Sequence, residues 1–315
     1  MSATKALTKI PLRQLGRNGP HVANLGFGCM GIGAFYGQSS ACEEMILKTL
    51  TYTADRGMTF WDTADIYGTS EAALRKWFAS TKRRKDIFLA TKFSAFDPAG
   101  PPEKGMISQP SYVRRAFLHS LSQLKTDYVD LYYQHRVDTK VPIEIVLEAL
   151  REFVESGQIK YLGLSECSVE TLKRAKNVKG LGDKIIAVQM EYSPFTLEIE
   201  LPSPEGQKSF AQEAEALGVS IVAYSPLACG LVTGRYVSSY AICGKRTFFR
   251  QSLATERIEE NTHGGEVELS AEAIREIRKL VDKAEVAGTQ NRTLSWITTA
   301  VEGNCLPLDQ WKGEN

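Results

Sequence analysis

The segment Phe60–Gly68, FWDTADIYG, contains the residues around which the rest of the chain is organised. Its first residues are apolar and β-favouring, which predicts a buried strand. The carboxylates of Asp62 and Asp65 and the phenol of Tyr67 follow directly before Gly68. A phenol with its ordinary pKa of ~10 is a weak acid at neutral pH, so it needs a nearby cation if it is to donate a proton.

Two further apolar runs end in ionisable residues that suit this chemistry. The run IFLATK ends at Lys92, and the run YVDLYYQH ends at His135. A lysine ammonium beside Tyr67 would favour the phenolate, and Asp62 would hold that lysine in place. Each residue also has a structural explanation when taken alone, such as helix capping for the aspartate. Parallel strands that each deliver an ionisable residue at the carboxyl end are the layout of a (β/α) barrel active site.

The chain alternates predicted strands and helices, a pattern typical of a parallel sheet with right-handed crossovers. Residues 9–25 predict a hairpin, and a short strand then runs into Gly26. Further strands are predicted at 59–64, 87–93, 128–135, 159–165, 185–190 and 219–224, with helices at 41–56, 70–80, 110–124, 142–156, 168–177, 205–217 and 270–284. A weaker eighth strand is predicted at Asn304–Leu308, NCLPL, close to the end of the chain.

We therefore predict one domain over residues 1–315, an α/β fold of the (β/α)8 TIM barrel type with an N-terminal β-hairpin, truncated after the eighth strand. Residues 228–268 interrupt the alternation with glycines, serines and charges that have no clear period. An insertion of this length predicts a functional loop over the barrel mouth or a partly mobile one.

The overall composition excludes several classes of partner. The 315 residues carry a formal net charge of +1, which gives no global case for a nucleic-acid or anionic-membrane partner. The chain has no apolar run of ~18 residues that could span a membrane. Its six cysteines are scattered without a C-x-x-C pair, which favours reduced thiols over disulfides or a metal site. With no long apolar core near the N-terminus, no secretory signal is visible, and we expect a cytoplasmic protein. We also expect a monomer or a weak homo-oligomer.

The glycines at Gly26, Gly28 and Gly31 match the pattern G-x-G-x-x-G. A dinucleotide-binding Rossmann site would need a helix that starts inside the pattern and an acid at a strand end about 20 residues later. The residues that follow the pattern are loop-like, and Asp55, at a suitable distance, lies inside a predicted helix. A glycine-rich turn after the first barrel strand, where a ligand approaches the backbone, fits better.

Six short motifs occur in order along the chain: FWDTADIYG, LATK, YYQH, GLSE, VQMEYS and AYSPL. In these motifs, which extend over roughly residues 10–308, the sequence resembles the aldo-keto reductase superfamily. The likeness is strongest to the branch of pyridoxal reductases and YakC-like fungal and bacterial enzymes. The resemblance implies a (β/α)8 barrel that binds NADPH without a Rossmann fold and reduces an aldehyde or ketone to an alcohol by hydride transfer.

The resemblance also implies catalytic roles for the matching residues. Tyr67 would be the general acid that protonates the carbonyl oxygen. Lys92, paired with Asp62, would lower the pKa of Tyr67. His135 would orient the carbonyl and help to relay the proton.

The resemblance further implies a set of residues that contact the cofactor: Cys29, Met30, Ser165, Gln189, Tyr224, Ser225, Leu227 and Gly230. Ser165 and Gln189 would hold the nicotinamide carboxamide, and Tyr224 would stack on the nicotinamide ring. The three residues that follow Tyr224 in this set would lie along the pyrophosphate.

Two departures from the family pattern bear on the cofactor. Glu166 stands where many members have asparagine. After Leu308, the chain lacks the basic stretch that grips the 2′-phosphate and the last barrel helix of the family, and Lys312 alone is a poor substitute. The expected consequences are weaker cofactor binding, a blurred preference for NADPH over NADH, and an exposed edge on the eighth strand.

Three functions are therefore compared. The first is an NADP-dependent carbonyl reductase, with secondary metabolism as a natural setting if the source is a fungus. The second is a cofactor-binding accessory protein of the kind that accompanies potassium channels, and the third is a weakly active relic. The aromatic residues Phe35, Tyr36, Phe93, Phe96 and Tyr192 predict an apolar substrate pocket, although each could equally lie in the core.

Overall fold

A parallel sheet forms the centre of the molecule. The computed structural model describes residues 10–33, 43–101, 105–202, 206, 208–228, 255–265, 267–283 and 304–314. Its strands are β1 (Leu12–Gln14), β2 (His21–Ala23), β3 (Phe27–Gly28), β4 (Phe60–Asp62), β5 (Phe88–Phe93), β6 (Val129–Gln134), β7 (Ile159–Ser165), β8 (Ile185–Glu191) and β9 (Ser220–Tyr224). Strands β1 and β2 form the predicted antiparallel hairpin, whereas β3 to β9 pair in sequence order as a curled seven-stranded parallel sheet.

Helices connect successive strands of this sheet. They are α1 (Met30–Gly33), α2 (Glu43–Asp55), α3 (Ser70–Thr81), α4 (Pro110–Leu124), α5 (Ile143–Glu148), α6 (Arg151–Glu155), α7 (Val169–Lys176), α8 (Phe210–Ala216), α9 (Thr255–Gly264) and α10 (Ala271–Val281). None of the helices in these described ranges is long and apolar enough to cross a membrane.

Local sequence signals account for several helix ends. Pro110 occupies the first turn of α4, where its missing N–H costs nothing, and Lys125 ends that helix in a left-handed conformation. The hydroxyl of Ser168 accepts a hydrogen bond from the backbone N–H of Thr171 and so caps α7. These caps set the points at which the chain leaves each helix and enters the next strand.

The predicted helix 142–156 is divided into α5 and α6. Between them the backbone tightens, because the N–H of Leu150 bonds to the carbonyl of Leu147 and that of Phe153 bonds to the carbonyl of Leu150. These bonds span three residues instead of four, which is the 3₁₀ pattern. The predicted apolar face is nevertheless buried along both pieces.

The core lies between the sheet and the surrounding helices. Trp61 of β4 and Trp77 of α3 are fully buried with ring centroids 4.7 Å apart, in an edge-to-face arrangement. Aromatic contacts also join β5, β6 and α4: Tyr132 stacks on Phe93 at a centroid distance of 4.9 Å and stands edge-to-face with Phe117 at 5.0 Å. Phe93 therefore belongs to the core and not to the surface of an open substrate pocket.

The hairpin β1–β2 closes the amino end of the sheet. The N–H of Gly16 donates to the hydroxyl of Ser220 at 2.7 Å, and the N–H of Arg17 donates to the carbonyl of Gly218 at 2.9 Å. Gly16 has a φ of +74°, and a Cβ there would lie 2.6 Å from the carbonyl oxygen of Ile186. Only glycine combines this conformation with this close approach.

The prediction of an eighth strand at Asn304–Leu308 is wrong. Residues 304–307 are irregular and lie against the outer helices, where Arg174 donates to the carbonyl oxygens of Cys305 at 3.1 Å and Leu306 at 2.8 Å. Pro307 has no N–H to contribute to a strand ladder, which disfavours a strand here. The expected exposed edge on this strand loses its basis, and an eight-stranded closed barrel remains a prediction.

Part of the insertion 228–268 is helical and lies away from the strand ends that carry the predicted catalytic residues. Helix α9 packs against α2 through Glu259, whose carboxylate accepts hydrogen bonds from the Tyr52 hydroxyl at 2.7 Å and from Arg56 Nε at 2.8 Å. For this helix, the prediction of a loop over the barrel mouth is wrong. The sequence has too short an apolar pattern to reveal it, since only two of its side chains are buried.

Candidate active site

The carboxyl ends of β4, β5 and β6 bring the four predicted catalytic residues together. Asp62 ends β4, Lys92 lies near the end of β5, and His135 follows β6 directly. Lys92 forms an ion pair with Asp62 and donates a second hydrogen bond to the carbonyl of Thr63 at 2.8 Å. Lys92 is fully buried, so both contacts hold its ammonium in a fixed position.

Tyr67 lies between Lys92 and His135. The Lys92 ammonium is 5.1 Å from the centroid of the Tyr67 ring and within hydrogen-bonding reach of its hydroxyl. The imidazole of His135 stands edge-on to the same ring, with centroids 5.8 Å apart and an angle of 82° between the planes. The sheet thus brings four side-chain groups together at its carboxyl end: the phenol of Tyr67, the ammonium of Lys92, the carboxylate of Asp62 and the imidazole of His135.

The protonation states in this pocket suit a proton donor. Burial raises the pKa of Tyr67 above its ordinary value, and the nearby Lys92 opposes this shift. Lys92 therefore lowers the pKa of Tyr67, as predicted, although the effect of burial is larger. Burial also acts to lower the pKa of Lys92, but Asp62 and Tyr67 outweigh it and leave the net pKa raised, so the ammonium stays charged.

His135 is a neutral imidazole. Burial lowers its pKa well below the ordinary range, and the positive charges of Lys92 and Arg136 add to this effect. Its Nδ1 atom is buried and has no hydrogen-bond partner among the residues that the structure describes. A neutral imidazole with a free ring nitrogen can orient a polar group of a ligand.

Two glycines place Tyr67. The backbones of Gly33 in α1 and Gly68 touch: a Cβ on Gly33 would lie 2.5 Å from the carbonyl oxygen of Tyr67, and one on Gly68 would lie 2.4 Å from the carbonyl oxygen of Gly33. By contrast, a Cβ on Gly28 would have no atom within 4 Å. Of the glycine-rich stretch, Gly28 therefore leaves room for a ligand, whereas Gly33 packs against the turn that carries Tyr67.

The predicted carboxamide-binding residues lie at the ends of the next two strands. Ser165 ends β7 and is fully buried, and its hydroxyl accepts a hydrogen bond from Arg136 at 3.3 Å. Gln189 in β8 donates from its amide to the second carboxylate oxygen of Asp62 at 2.9 Å. The sheet thus brings these two side chains to the same end as the catalytic group.

Most of the remaining predicted cofactor residues lie at the two end strands of the described sheet, β3 and β9. The hydroxyl of Tyr224, at the end of β9, hydrogen-bonds with Glu166. Ser225 follows with a left-handed φ of 54°, and Leu227 is 45% exposed.

At the other edge of the sheet, the side chain of Cys29 is fully buried, so only its backbone could meet a ligand. Met30 next to it is half-buried, and Gly230, like the predicted pocket residues Phe35 and Tyr36, falls outside the described residues.

The departure at Glu166 has a structural role. Glu166 adopts a left-handed φ of 50°, a conformation that asparagine tolerates better than glutamate. Its carboxylate compensates by accepting a hydrogen bond at 2.8 Å from the backbone N–H of Glu191. The carboxylate is therefore directed towards β8 and β9.

Sequence reasoning missed Arg136. This arginine follows His135 directly and donates from Nη1 to the carbonyl of His135 at 2.8 Å as well as to Ser165. No spacing rule singles out a residue after a strand-end histidine, although its place at the same end of the sheet could have indicated it. Within the described part of the chain, no cluster of side chains has the composition of a metal site.

Comparisons with known proteins identify the family of the chain. The sequence model of the Aldo/keto reductase family matches residues 24–308. Over 231 residues the chain is 44% identical to the aldo-keto reductase yakc of Schizosaccharomyces pombe, whose name includes NADP(+), covering 73% of this chain and 64% of that protein. It is 45% identical over 234 residues to the aldo-keto reductase str7 of Strobilurus tenacellus, covering 73% of this chain and 65% of that protein. The chain thus spans slightly less than two thirds of the length of these relatives.

Solved structures show the same fold. The thermostable aldo-keto reductase Tm1743, in complex with the inhibitor epalrestat, superposes with a TM-score of 0.67 at 27% identity, over 86% of this chain and 99% of the other. The aldo-keto reductase AKR11C1 from Bacillus halodurans, in its holo form, gives a TM-score of 0.65 at 26% identity, over 86% and 96% of the two chains. On its sequence, its sheet and its relatives, this chain belongs to the aldo/keto reductase family.

Proposed function

We propose that the chain reduces the carbonyl of an aldehyde or ketone to an alcohol, with NADPH as the reductant. The observation that carries the proposal is the buried ion pair of Lys92 with Asp62 beneath the hydroxyl of Tyr67, with neutral His135 opposite. The name of the Schizosaccharomyces pombe relative, which includes NADP(+), supports this choice of cofactor. The proposal includes a single domain and a (β/α)8 barrel, as in the family.

The residues present fit a nicotinamide cofactor. A ligand can approach the backbone at Gly28, where a Cβ would meet no atom within 4 Å. The buried hydroxyl of Ser165 and the amide of Gln189 can hydrogen-bond with a carboxamide, and the ring of Tyr224 offers an aromatic face. When bound, NADPH supplies a hydride to the carbonyl carbon.

Tyr67 donates its hydroxyl proton to the carbonyl oxygen in this proposal, and the electron pair of the broken O–H bond stays on the phenolate. The ammonium of Lys92 stabilises that phenolate, because the two groups lie within hydrogen-bonding reach in a buried pocket where charge interactions are strong. Asp62 keeps the ammonium in position. His135, being neutral, orients the carbonyl oxygen without adding a competing charge.

The test is NADPH oxidation with a panel of aldehydes, ketones, 2-oxo acids and pyridoxal. Tyr67→Phe keeps the ring that packs on His135 and removes only the hydroxyl, so kcat/KM should fall about 10²- to 10⁴-fold with an unchanged melting temperature. Tyr128→Phe is the matched control, since Tyr128 lies at the opposite end of the sheet beside Arg84 and Lys160. Full activity in Tyr67→Phe would remove Tyr67 from the acid role. A wild-type protein that reduces no member of the panel would refute the proposed function.

A further inference from the structure

Arg136 has hydrogen-bonding capacity that the described part of the chain does not use. The residue is half-buried at the rim of the candidate site, and its Nη1 atom serves His135 and Ser165. Its Nε atom is enclosed by protein and has no hydrogen-bond partner among the described residues. Nor does its guanidinium form an ion pair with any carboxylate in that part of the chain. The planar donors of a guanidinium match a carboxylate best.

The charge of Arg136 acts on the groups that would surround a carbonyl. Burial is the main influence on both Tyr67 and His135, raising the pKa of the first and lowering that of the second. Arg136 adds a downward influence on the pKa in both cases. Its hydrogen bonds to the backbone carbonyl of His135 and to the hydroxyl of Ser165 place the guanidinium at the same end of the sheet as these groups.

Two acidic residues are also near this rim, but neither neutralises Arg136. Glu166 accepts hydrogen bonds from the N–H of Glu191 and from the hydroxyl of Tyr224. The pKa of Glu191 is raised, mainly by burial and also by Glu166, while Arg136 opposes the rise. Glu166 thus has its own partners, and neither carboxylate forms an ion pair with Arg136 within the described ranges.

A buried network holds the backbone of Arg136 in place. The hydroxyl of Ser94 lies 2.5 Å from that of Ser108 and donates to the carbonyl of Arg136 at 3.2 Å. Gln134 donates from its amide to Ser108 at 2.9 Å. Ser94 keeps a left-handed φ of 78°, a conformation that costs free energy and that this network maintains. An anchored backbone makes the arginine a pre-organised binding group.

We propose that Arg136 binds a carboxylate on the carbon next to the reacting carbonyl, so that 2-oxo acids are preferred over their neutral analogues. This inference rests on the proposed reductase function and makes Arg136 a residue that determines substrate specificity. It assigns no proton transfer to the arginine. The carboxylate would accept hydrogen bonds from the guanidinium while the carbonyl oxygen faces Tyr67 and His135.

The test compares phenylglyoxylate with its methyl ester, which keeps the ring and the ketone but removes the negative charge. In the wild-type protein with NADPH, the acid-to-ester ratio of kcat/KM is measured and compared with the ratio in Arg136→Met. We expect the ratio to fall about 10- to 100-fold, the range expected when hydrogen bonds to a charged group are lost. Arg136→Lys keeps the charge without the planar fork, so its ratio should lie between the two.

Several outcomes would overturn the inference. An equal loss for acid and ester would mean that Arg136 acts through Tyr67 or the cofactor, and a wild-type protein that reduces the ester but not the acid would exclude an acid subsite. A protein that reduces no carbonyl at all would instead refute the proposed function. In that case, calorimetric titration with mandelate and methyl mandelate in the presence of NADP+ still tests whether Arg136 binds a carboxylate. Only mandelate binding that is lost in Arg136→Met supports the inference, and binding that is absent or independent of Arg136 overturns it.

Discussion

Gly33→Ala should move Tyr67 while leaving its hydroxyl intact, and so tests whether the position of Tyr67 matters for activity. In the structure, a Cβ on Gly33 would lie 2.5 Å from the carbonyl oxygen of Tyr67 and 2.6 Å from the backbone N of Thr69. Ordinary contacts begin at 3.4 Å, so the turn that carries Tyr67 must move by roughly 0.9 Å. A misplacement of about 1 Å at a catalytic group costs on the order of 10² in rate. Overpacking should also destabilise the fold by about 1–3 kcal/mol.

The assay is kcat/KM for NADPH-dependent carbonyl reduction together with a thermal melt. Gly264→Ala in α9 is the matched control, because a Cβ there meets no atom within 4 Å and the residue lies far from the site in sequence. We expect a loss of about 10²-fold for Gly33→Ala and none for the control. A Gly33→Ala protein that melts at a lower temperature but retains full activity would refute the claim that this contact positions Tyr67.

Two further predictions concern stability. Asp130→Asn removes a buried carboxylate that pairs with Arg84 and Lys160 at 2.9 Å each, and should lower the free energy of unfolding in urea by about 3–5 kcal/mol. Asp86→Asn, on an exposed pair, should cost less than about 1 kcal/mol, and an equal loss in both variants would contradict this reasoning. The pKa of His135 is lowered on folding, so below pH ~6.5 the unfolded chain binds more protons and the free energy of unfolding declines as the pH falls. His135→Gln should make that decline shallower between about pH 6.5 and 5, whereas an unchanged slope would mean that His135 does not titrate differently in the two states.

The parallel topology explains why the clustering of the candidate catalytic residues could be predicted from the sequence. Asp62, Lys92 and His135 each end an apolar run, and consecutive parallel strands place such ends side by side. The register confirms this, since Asp62 pairs with Ala90 on β5, two residues before Lys92. Local periodicity and topology were sufficient here because each of these three residues lies in a regular strand or directly after one.

Other features depend on tertiary contacts that no periodicity encodes. The apolar segment around Cys305 has the composition of a strand, but Pro307 and the two hydrogen bonds from Arg174 hold it on the outer helices. The unpaired Nε of Arg136 becomes visible only when its surroundings are known. The same applies to Gly33, whose backbone contact with Gly68 joins residues that are distant in sequence.

The hairpin at the amino end has a consequence for how the nascent protein matures. Its turn is completed by the bond between Gly16 and Ser220, which are separated by 204 positions in the chain. At a ribosomal speed of about 5–20 residues per second, the hairpin waits roughly 10–40 seconds for its partner to be made. The hairpin therefore leaves the ribosome well before it can make its native contacts, and β9 must emerge before the amino end of the sheet can close.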